Sequence, residues 1–188
     1  METSSRTKGS GYAWVISAGG FGTQIVALLF TMVWGYCIAY VCKDFGVERT
    51  DLALASACYG TLYAGMSFMW GWIADKFGVR WTMTVSAALT GVASLAFAFA
   101  VNSPMQAILC YAAIGVFVGG CGSAVLPKLI SAWFHSSARG KGMIIAGWGG
   151  SVVSLSGGII FPQIILNSGW RGCFTACGVV ALIVAVLI

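Results

Sequence analysis

The sequence predicts an all-α membrane protein whose six transmembrane helices form one bundle, and three observations carry that prediction. Charged residues make up 8% of the chain and hydrophobic residues 59%, with a mean hydropathy of +0.91. Soluble domains carry about 25% charged residues, so this chain lacks the polar surface to face water on every side. Apolar runs of about 20 residues recur along the whole length, the span that carries a helix across a bilayer. The segments between the runs are short, so consecutive helices are antiparallel neighbours with no soluble domain inserted.

The elements follow from apolar runs and breakers. Residues 1–11 form a short polar tail with Arg6 and Lys8, and the first helix covers 12–42. Its apolar run is too long for the core of a signal peptide and lacks a cleavage site, so the helix is retained. The loop from Lys43 to Thr50 ends it, and Thr50 or Asp51 supplies the cap of a second helix that continues to Ala74. The third covers 81–101. In the turn Asn102-Ser103-Pro104, Ser103 is the N-cap and Pro104 takes the first helical position. The fourth then runs unbroken to Trp133 with a bend at Pro127, the fifth covers 141–166 and the sixth 172–188. The sixth stops inside an apolar run, which leads to the expectation that more protein follows residue 188.

Charge sets the direction of the spans. The net charge of +5 is scattered, which argues against nucleic acid, whose binding needs a clustered basic face. Arg6, Lys8, Lys76, Arg80, Arg139 and Lys141 fall on one side, with Lys128 close by. Lys43, Arg49 and Arg171 fall on the other, where Asp44, Glu48 and Asp51 offset the first two. The bias puts the N-terminus in the cytoplasm of a cell surrounded by this plasma or inner membrane. Trp14, Trp72, Trp81 and Trp133 fall at the cytoplasmic interface and Trp170 at the outer one.

Other classes fit less well. The seven cysteines contain no C-x-x-C pair and are odd in number, so neither a zinc site nor a disulfide framework is indicated. Intramembrane catalysis needs paired aspartates, a serine–histidine pair or a zinc motif. The single histidine is His135, in a loop, and Asp44, Asp51 and Asp75 all lie near helix ends, so no enzyme, metal or cofactor is expected. A self-contained six-helix channel or scaffold is the other rival, although no filter-like loop or charge ring is present.

Small and polar residues recur at helical spacing. Ser17, Gly20, Gln24, Thr31 and Gly35 share a stripe of the first helix, Gly115 and Gly119 mark the fourth, and Gly142, Ala146, Gly150, Ser154 and Gly158 line the fifth. Such stripes let backbones approach closely in lipid, and smooth interfaces also permit bundles to rock. Gln24 and Thr31 are costly against lipid, so they face the interior, either in an interhelical hydrogen bond or toward substrate. Lys128 is the one formal charge well inside a span, at a cost of about 2.5–3.5 kcal/mol if it stood at mid-bilayer. Its stem either snorkels to the cytoplasmic interface or presents the charge to an anion in a cavity. On an unbroken helix it shares a face with Phe117, Cys121 and Ala124. Trp34 and Trp148 sit mid-span, where core packing is the simpler reading.

Between the second and third helices the sequence reads Gly71-Trp72-Ile73-Ala74-Asp75-Lys76-Phe77-Gly78-Val79-Arg80-Trp81. Gly78 suits a tight turn between antiparallel helices, Gly71 allows close approach, and Asp75 and Arg80 stand at helix ends where charges meet backbone dipoles. The segment resembles the signature loop of the major facilitator superfamily in Gly71, Asp75, Lys76, Gly78 and Arg80, and departs from it at Val79. Trp133-Phe134, Arg139-Gly140-Lys141-Gly142, Gly147-Trp148-Gly149-Gly150-Ser151 and Gly169-Trp170-Arg171 resemble the oxalate/formate antiporter and monocarboxylate transporter branch. Tyr111 stands near the place where some proton-coupled members carry an arginine.

The resemblance implies the N-terminal half of a twelve-helix fold, made of two inverted three-helix repeats, with substrate held between this half and a second one. It implies a secondary active transporter of a small organic anion, a monocarboxylate or dicarboxylate, by proton symport or anion exchange. A sugar, drug or phosphate-ester carrier is the alternative. Gln24, Thr31, Tyr111 and Lys128 become the candidates for the substrate cavity. The loop around Asp75 becomes the gating element, its aspartate meeting a helix terminus of the other half and steadying the outward-facing state.

Overall fold

A computed structural model describes residues 10–122, 124–134 and 138–188. The tail residues 1–9, with Arg6 and Lys8, and His135 lie outside the described residues. The described chain is helical: α1 (Ser10–Phe45), α2 (Arg49–Phe77), α3 (Val79–Ala100), α4 (Pro104–Val118), α5 (Leu126–Trp133) and α6 (Arg139–Leu187). Among the described residues, five stretches are long and apolar enough to cross a membrane, with α4 and α5 together forming the Pro104–Trp133 stretch.

Three local features differ from the sequence reading. Glu48, not Thr50 or Asp51, caps α2; its N–H donates to the Asp51 carboxylate at 3.2 Å, and Thr50 donates to the Glu48 carboxylate at 3.3 Å. The span after Pro104 is not one helix. It tightens into a 3-10 turn at Gly119–Cys121 and restarts at Leu126. Gly119, Gly120 and Gly122 are poor helix formers, and Pro127 supplies no N–H to an approaching turn, so the helix yields at the glycines and the proline opens the next one. The face shared by Phe117, Cys121, Ala124 and Lys128 therefore does not exist as a continuous stripe. Ser103 does cap α4 as expected, accepting from the Gln106 N–H at 3.3 Å.

The 49 residues of α6 contain one non-helical position, Gly169, at φ 70° and ψ −177°. The chain reverses there. Residues 142–158 run parallel to α1, with Gly142 beside Ser17, Gly149 beside Phe21 and Gly158 beside Tyr36. Residues 170–188 return antiparallel to it, with Trp170 beside Asp44, Val184 beside Gly22 and Ile188 beside Gly19.

Packing explains the small residues. A Cβ on Gly149 would collide with the Phe21 carbonyl, and one on Gly115 would stand 2.7 Å from the Tyr59 carbonyl oxygen. A Cβ on Gly91 would stand 3.0 Å from the Gly178 carbonyl oxygen, so α3 and the returning arm of α6 touch backbone to backbone. Hydroxyls then link helices across these seams: Ser17 donates to the Gly142 carbonyl at 3.1 Å, Ser86 to Phe117 at 2.6 Å and Ser94 to Phe174 at 2.7 Å. Each such link is worth about 0.6 kcal/mol in lipid, so the seams hold by many small terms. Aromatic rings fill the centre, with Phe97 and Phe174 centroids 4.1 Å apart.

The two ends of the bundle are now distinct. Gly78, Phe134 and Ile188 share one end, where Trp14 meets Phe134 edge-on at 5.6 Å. The other end gathers the turns at Gly46, Asn102 and Gly169. There Arg171 donates to the Val101 carbonyl at 3.0 Å, and the Trp170 indole donates to Asp44 at 3.1 Å.

Candidate functional site

The α2–α3 hairpin is a one-residue turn. Gly78 takes φ 94° and ψ 144°, a region that a Cβ makes costly, so the glycine is required by the backbone itself. Gly71 has a different role from the one expected. A Cβ there would meet only the Lys128 ammonium, at an ordinary 3.6 Å, so close helix approach does not demand the glycine. Its carbonyl is what the site uses.

Lys128, in the first turn of α5, reaches across to α2. Its ammonium lies 2.8 and 2.7 Å from the two Asp75 carboxylate oxygens and donates to the Gly71 carbonyl at 2.9 Å. All three ammonium hydrogens have acceptors. The break in the preceding span comes just before Lys128, which therefore belongs to the restarted helix. The pair lines a cleft of about 390 Å³ with Ser67, Phe68, Trp72 and Ala124. Since carboxylate and ammonium neutralise one another there, the cleft offers no unpaired cation to an anion.

Exposure sets the strength of this contact. Lys128 is 38% and Asp75 64% exposed, and ion pairs so open are worth about 0–1 kcal/mol. It is a weak latch. Lys76 lies over the Trp72 ring at 5.2 Å and the Phe77 ring at 5.4 Å, and Arg80 Nε donates to the Ile188 carbonyl at 2.6 Å.

The other candidates separate. Tyr111 is buried, and its hydroxyl donates to the Phe30 carbonyl of α1 at 2.8 Å. Its ring is sandwiched between Trp34 at 4.5 Å and Tyr59 at 4.6 Å, and Tyr63 continues the column 6.1 Å beyond Tyr59. Thr31 is exposed at the edge of this column, donating to the Ala27 carbonyl with its oxygen 3.3 Å from the Tyr59 hydroxyl. Gln24 is half-buried two turns away on α1. Tyr111 and Thr31 therefore meet through Tyr59, whereas Lys128 belongs with Asp75 at the end of the bundle.

Sequence reasoning missed Tyr59, Tyr63 and the ring column. The spacing of two tyrosines one helical turn apart on α2 was the available signal. Trp34 is buried as expected, but its indole N–H has no hydrogen-bond partner among the described residues. Trp148 is 64% exposed rather than in the core.

Long apolar helices, short turns and hydroxyl-linked seams define a multi-pass membrane protein. The profile of the Major Facilitator Superfamily matches residues 9–188, and the chain belongs to that family. Among its relatives are the membrane sensor protein UhpC of Escherichia coli K12, 25% identical over 86% of this chain and 39% of the relative. The probable sulfoacetate transporter SauU of Cupriavidus necator is 27% identical over 74% of this chain and 32% of the relative. The glycerol-3-phosphate transporter of Bacillus subtilis is 24% identical over 81% of this chain and 35% of the relative. The chain thus spans about two fifths or less of the length of these relatives.

Proposed function

We propose that this chain is the N-terminal half of a secondary active transporter that moves a small organic anion by alternating access. Residues 12–188 form six spans, two inverted three-helix repeats, with Gly169 as the turn between the fifth and sixth. The tail 1–11 and the Gly78 hairpin lie on the cytoplasmic side of the plasma or inner membrane. Six more spans in a second half complete the substrate site.

The observation that carries this reading is the Asp75–Lys128 pair. A gate that opens in every cycle needs a contact that forms specifically and breaks cheaply. Two-pronged geometry supplies the specificity, and exposure keeps the strength near thermal energy. Asp75 remains 64% exposed and so is also available to the N-terminus of a helix from the other half. Thr31, Gln24 and the Tyr59 hydroxyl line the substrate path, with Tyr111 holding the ring column in place behind them. Because Lys128 is already neutralised, the cation that selects an anion comes from the second half.

Anionic substrates are supported by relatives named for sulfoacetate and glycerol-3-phosphate. A monocarboxylate or dicarboxylate, by proton symport or anion exchange, follows from the branch-like motifs of 133–151, and phosphate esters are the alternative. A sensor is the second reading, favoured by the relative named as a membrane sensor protein.

Uptake of radiolabelled oxalate, lactate, sulfoacetate and glycerol-3-phosphate into vesicles carrying the full-length protein tests the proposal. Accumulation of one of them is expected. Specific binding without accumulation would favour the sensor, and neither binding nor uptake would remove the anion reading.

A further inference from the structure

The end of the bundle opposite the Gly78 hairpin carries a polar pocket to which the reading above gives no role. Gly169, at φ 70°, reverses the chain there, so that Ser168 closes one arm of α6 and Arg171 opens the other. Both stand beside the C-terminal end of α1, whose Tyr40, Lys43 and Asp44 complete an open pocket of about 450 Å³. That volume lies within the range of small-molecule sites.

Donors without acceptors decide what fills it. The Lys43 ammonium is exposed and has neither an ion pair nor a hydrogen bond among the described residues. The Tyr40 and Ser168 hydroxyls have no hydrogen-bond partner among them either. Arg171 is anchored through one nitrogen only. Its Nη2 donates to the Val101 carbonyl at 3.0 Å and lies 3.4 Å from the Asn102 amide oxygen, which leaves Nε and Nη1 unfilled among the described residues. The Trp170 ring, 5.0 Å from the guanidinium, holds it further. Asp44 is the one acid in the wall, and one of its oxygens already accepts from the Trp170 indole at 3.1 Å. Glu48 and Asp51, the other acids at this end, are engaged in the cap of α2 and do not line the pocket. Two cations against one carboxylate, with hydroxyl donors to spare, match the chemistry of an oxyanion.

We propose that this pocket binds a phosphate-type oxyanion, held by Lys43 and Arg171 with the Tyr40 and Ser168 hydroxyls as further donors. The same chemistry comes from two sources, a small anion in solution and the phosphate of a lipid head group. This inference goes beyond the reading above, and it stands whether or not the chain transports an anion.

Two titrations of the full-length protein in dodecyl maltoside test it. Inorganic phosphate, followed by calorimetry at constant ionic strength, probes the free anion; dioleoylphosphatidylglycerol, followed by native mass spectrometry, probes the lipid. Lys43 makes no other polar contact among the described residues, so K43Q leaves the fold's own hydrogen bonds in place. It should weaken binding of one probe by about fivefold, the scale of an open charge pair. D44N keeps an acceptor for the Trp170 indole and removes the repelling charge, so it should tighten the same probe by about twofold to fivefold. R49Q removes an exposed cation of the same end that does not line the pocket, and it should change neither titration. A loss with phosphate assigns the pocket to a solute, and a loss confined to phosphatidylglycerol assigns it to lipid; either supports the oxyanion site. Affinities for both probes that are the same in K43Q as in the unmodified protein overturn the proposal. So does an equal loss in R49Q, which would make the attraction a diffuse property of the surface, and so does weaker binding in D44N.

Discussion

The seam between α1 and α6 and the outer face of α2 are built from the same small residues to opposite ends. Along the seam, a Cβ on Gly149 would collide with the Phe21 backbone, and one on Gly20 would stand 3.2 Å from the Ala146 Cβ. On α2, Gly60 and Gly65 face open space. Burial follows suit, with 17% of the apolar stretch of α2 buried against 44% of that of α1. A small residue on a membrane helix is therefore ambiguous. It marks a close approach made within this bundle in one place, and a surface left smooth for some other contact in another. α2 is pinned at the hairpin end by the Trp70–Val116 hydrogen bond and the Asp75–Lys128 latch, and farther along by Gly115 under Tyr59.

The comparison breaks most directly at Gly149. G149L forces a side chain into the Phe21 backbone, and overpacking of this kind costs about 1–3 kcal/mol or more. Monodisperse protein in detergent chromatography should drop sharply, while G147L, with open space around Gly147, should behave as the unmodified chain. Equal losses in the two would show that the seam is no tighter than the surface. The next effect belongs to the latch. D75N should slow uptake several-fold and shift thermal unfolding by less than about 1 kcal/mol, because the pair is largely exposed. A large loss of stability with unchanged uptake would make the pair a structural tie.

Smaller effects sharpen the contrast. Y111F removes one hydrogen bond to the Phe30 carbonyl but keeps the ring in its column, at a cost of about 0.5–1.5 kcal/mol by thermal unfolding. A much larger cost would mean that the hydroxyl, not the stacking, organises α1 against α4. G60A and G65A should change stability by no more than about 0.5 kcal/mol, in the range of ordinary surface substitutions. If their uptake is also normal, that face of α2 meets only lipid.

Much of the architecture was legible in the chain. Run length and short turns gave helices that cross a bilayer, Ser103 and Pro104 gave the start of α4, and Gly78 gave the hairpin. These are local decisions, set by one turn of backbone and its solvent. The break at Gly119 was harder to read, because glycines, although poor helix formers, are also frequent inside unbroken membrane helices. Contact with Ser86 and Tyr63 crowds a Cβ at Gly120 and Gly122, and Trp70 stands 3.1 Å from one at Gly119, so the packed neighbours select these glycines. The partner of Lys128 was hidden for the same reason. Lys128 follows the break in its span, and Asp75 lies 53 residues earlier in the chain.

The amino-acid order by itself determined that this chain lives in a membrane, where its helices begin and end within a few residues, the broken span after Pro104 excepted, and which turn carries the family's charges. Those properties follow from transfer into lipid and from backbone geometry, and both act on neighbours in sequence. The tertiary structure alone decided that Tyr111 serves a ring column rather than an open cavity, and that Lys128 spends its charge on Asp75. It also decided which glycines are seams and which are surface. Such choices depend on side chains that meet only after the helices have packed, and in lipid no difference in hydrophobicity announces those meetings beforehand.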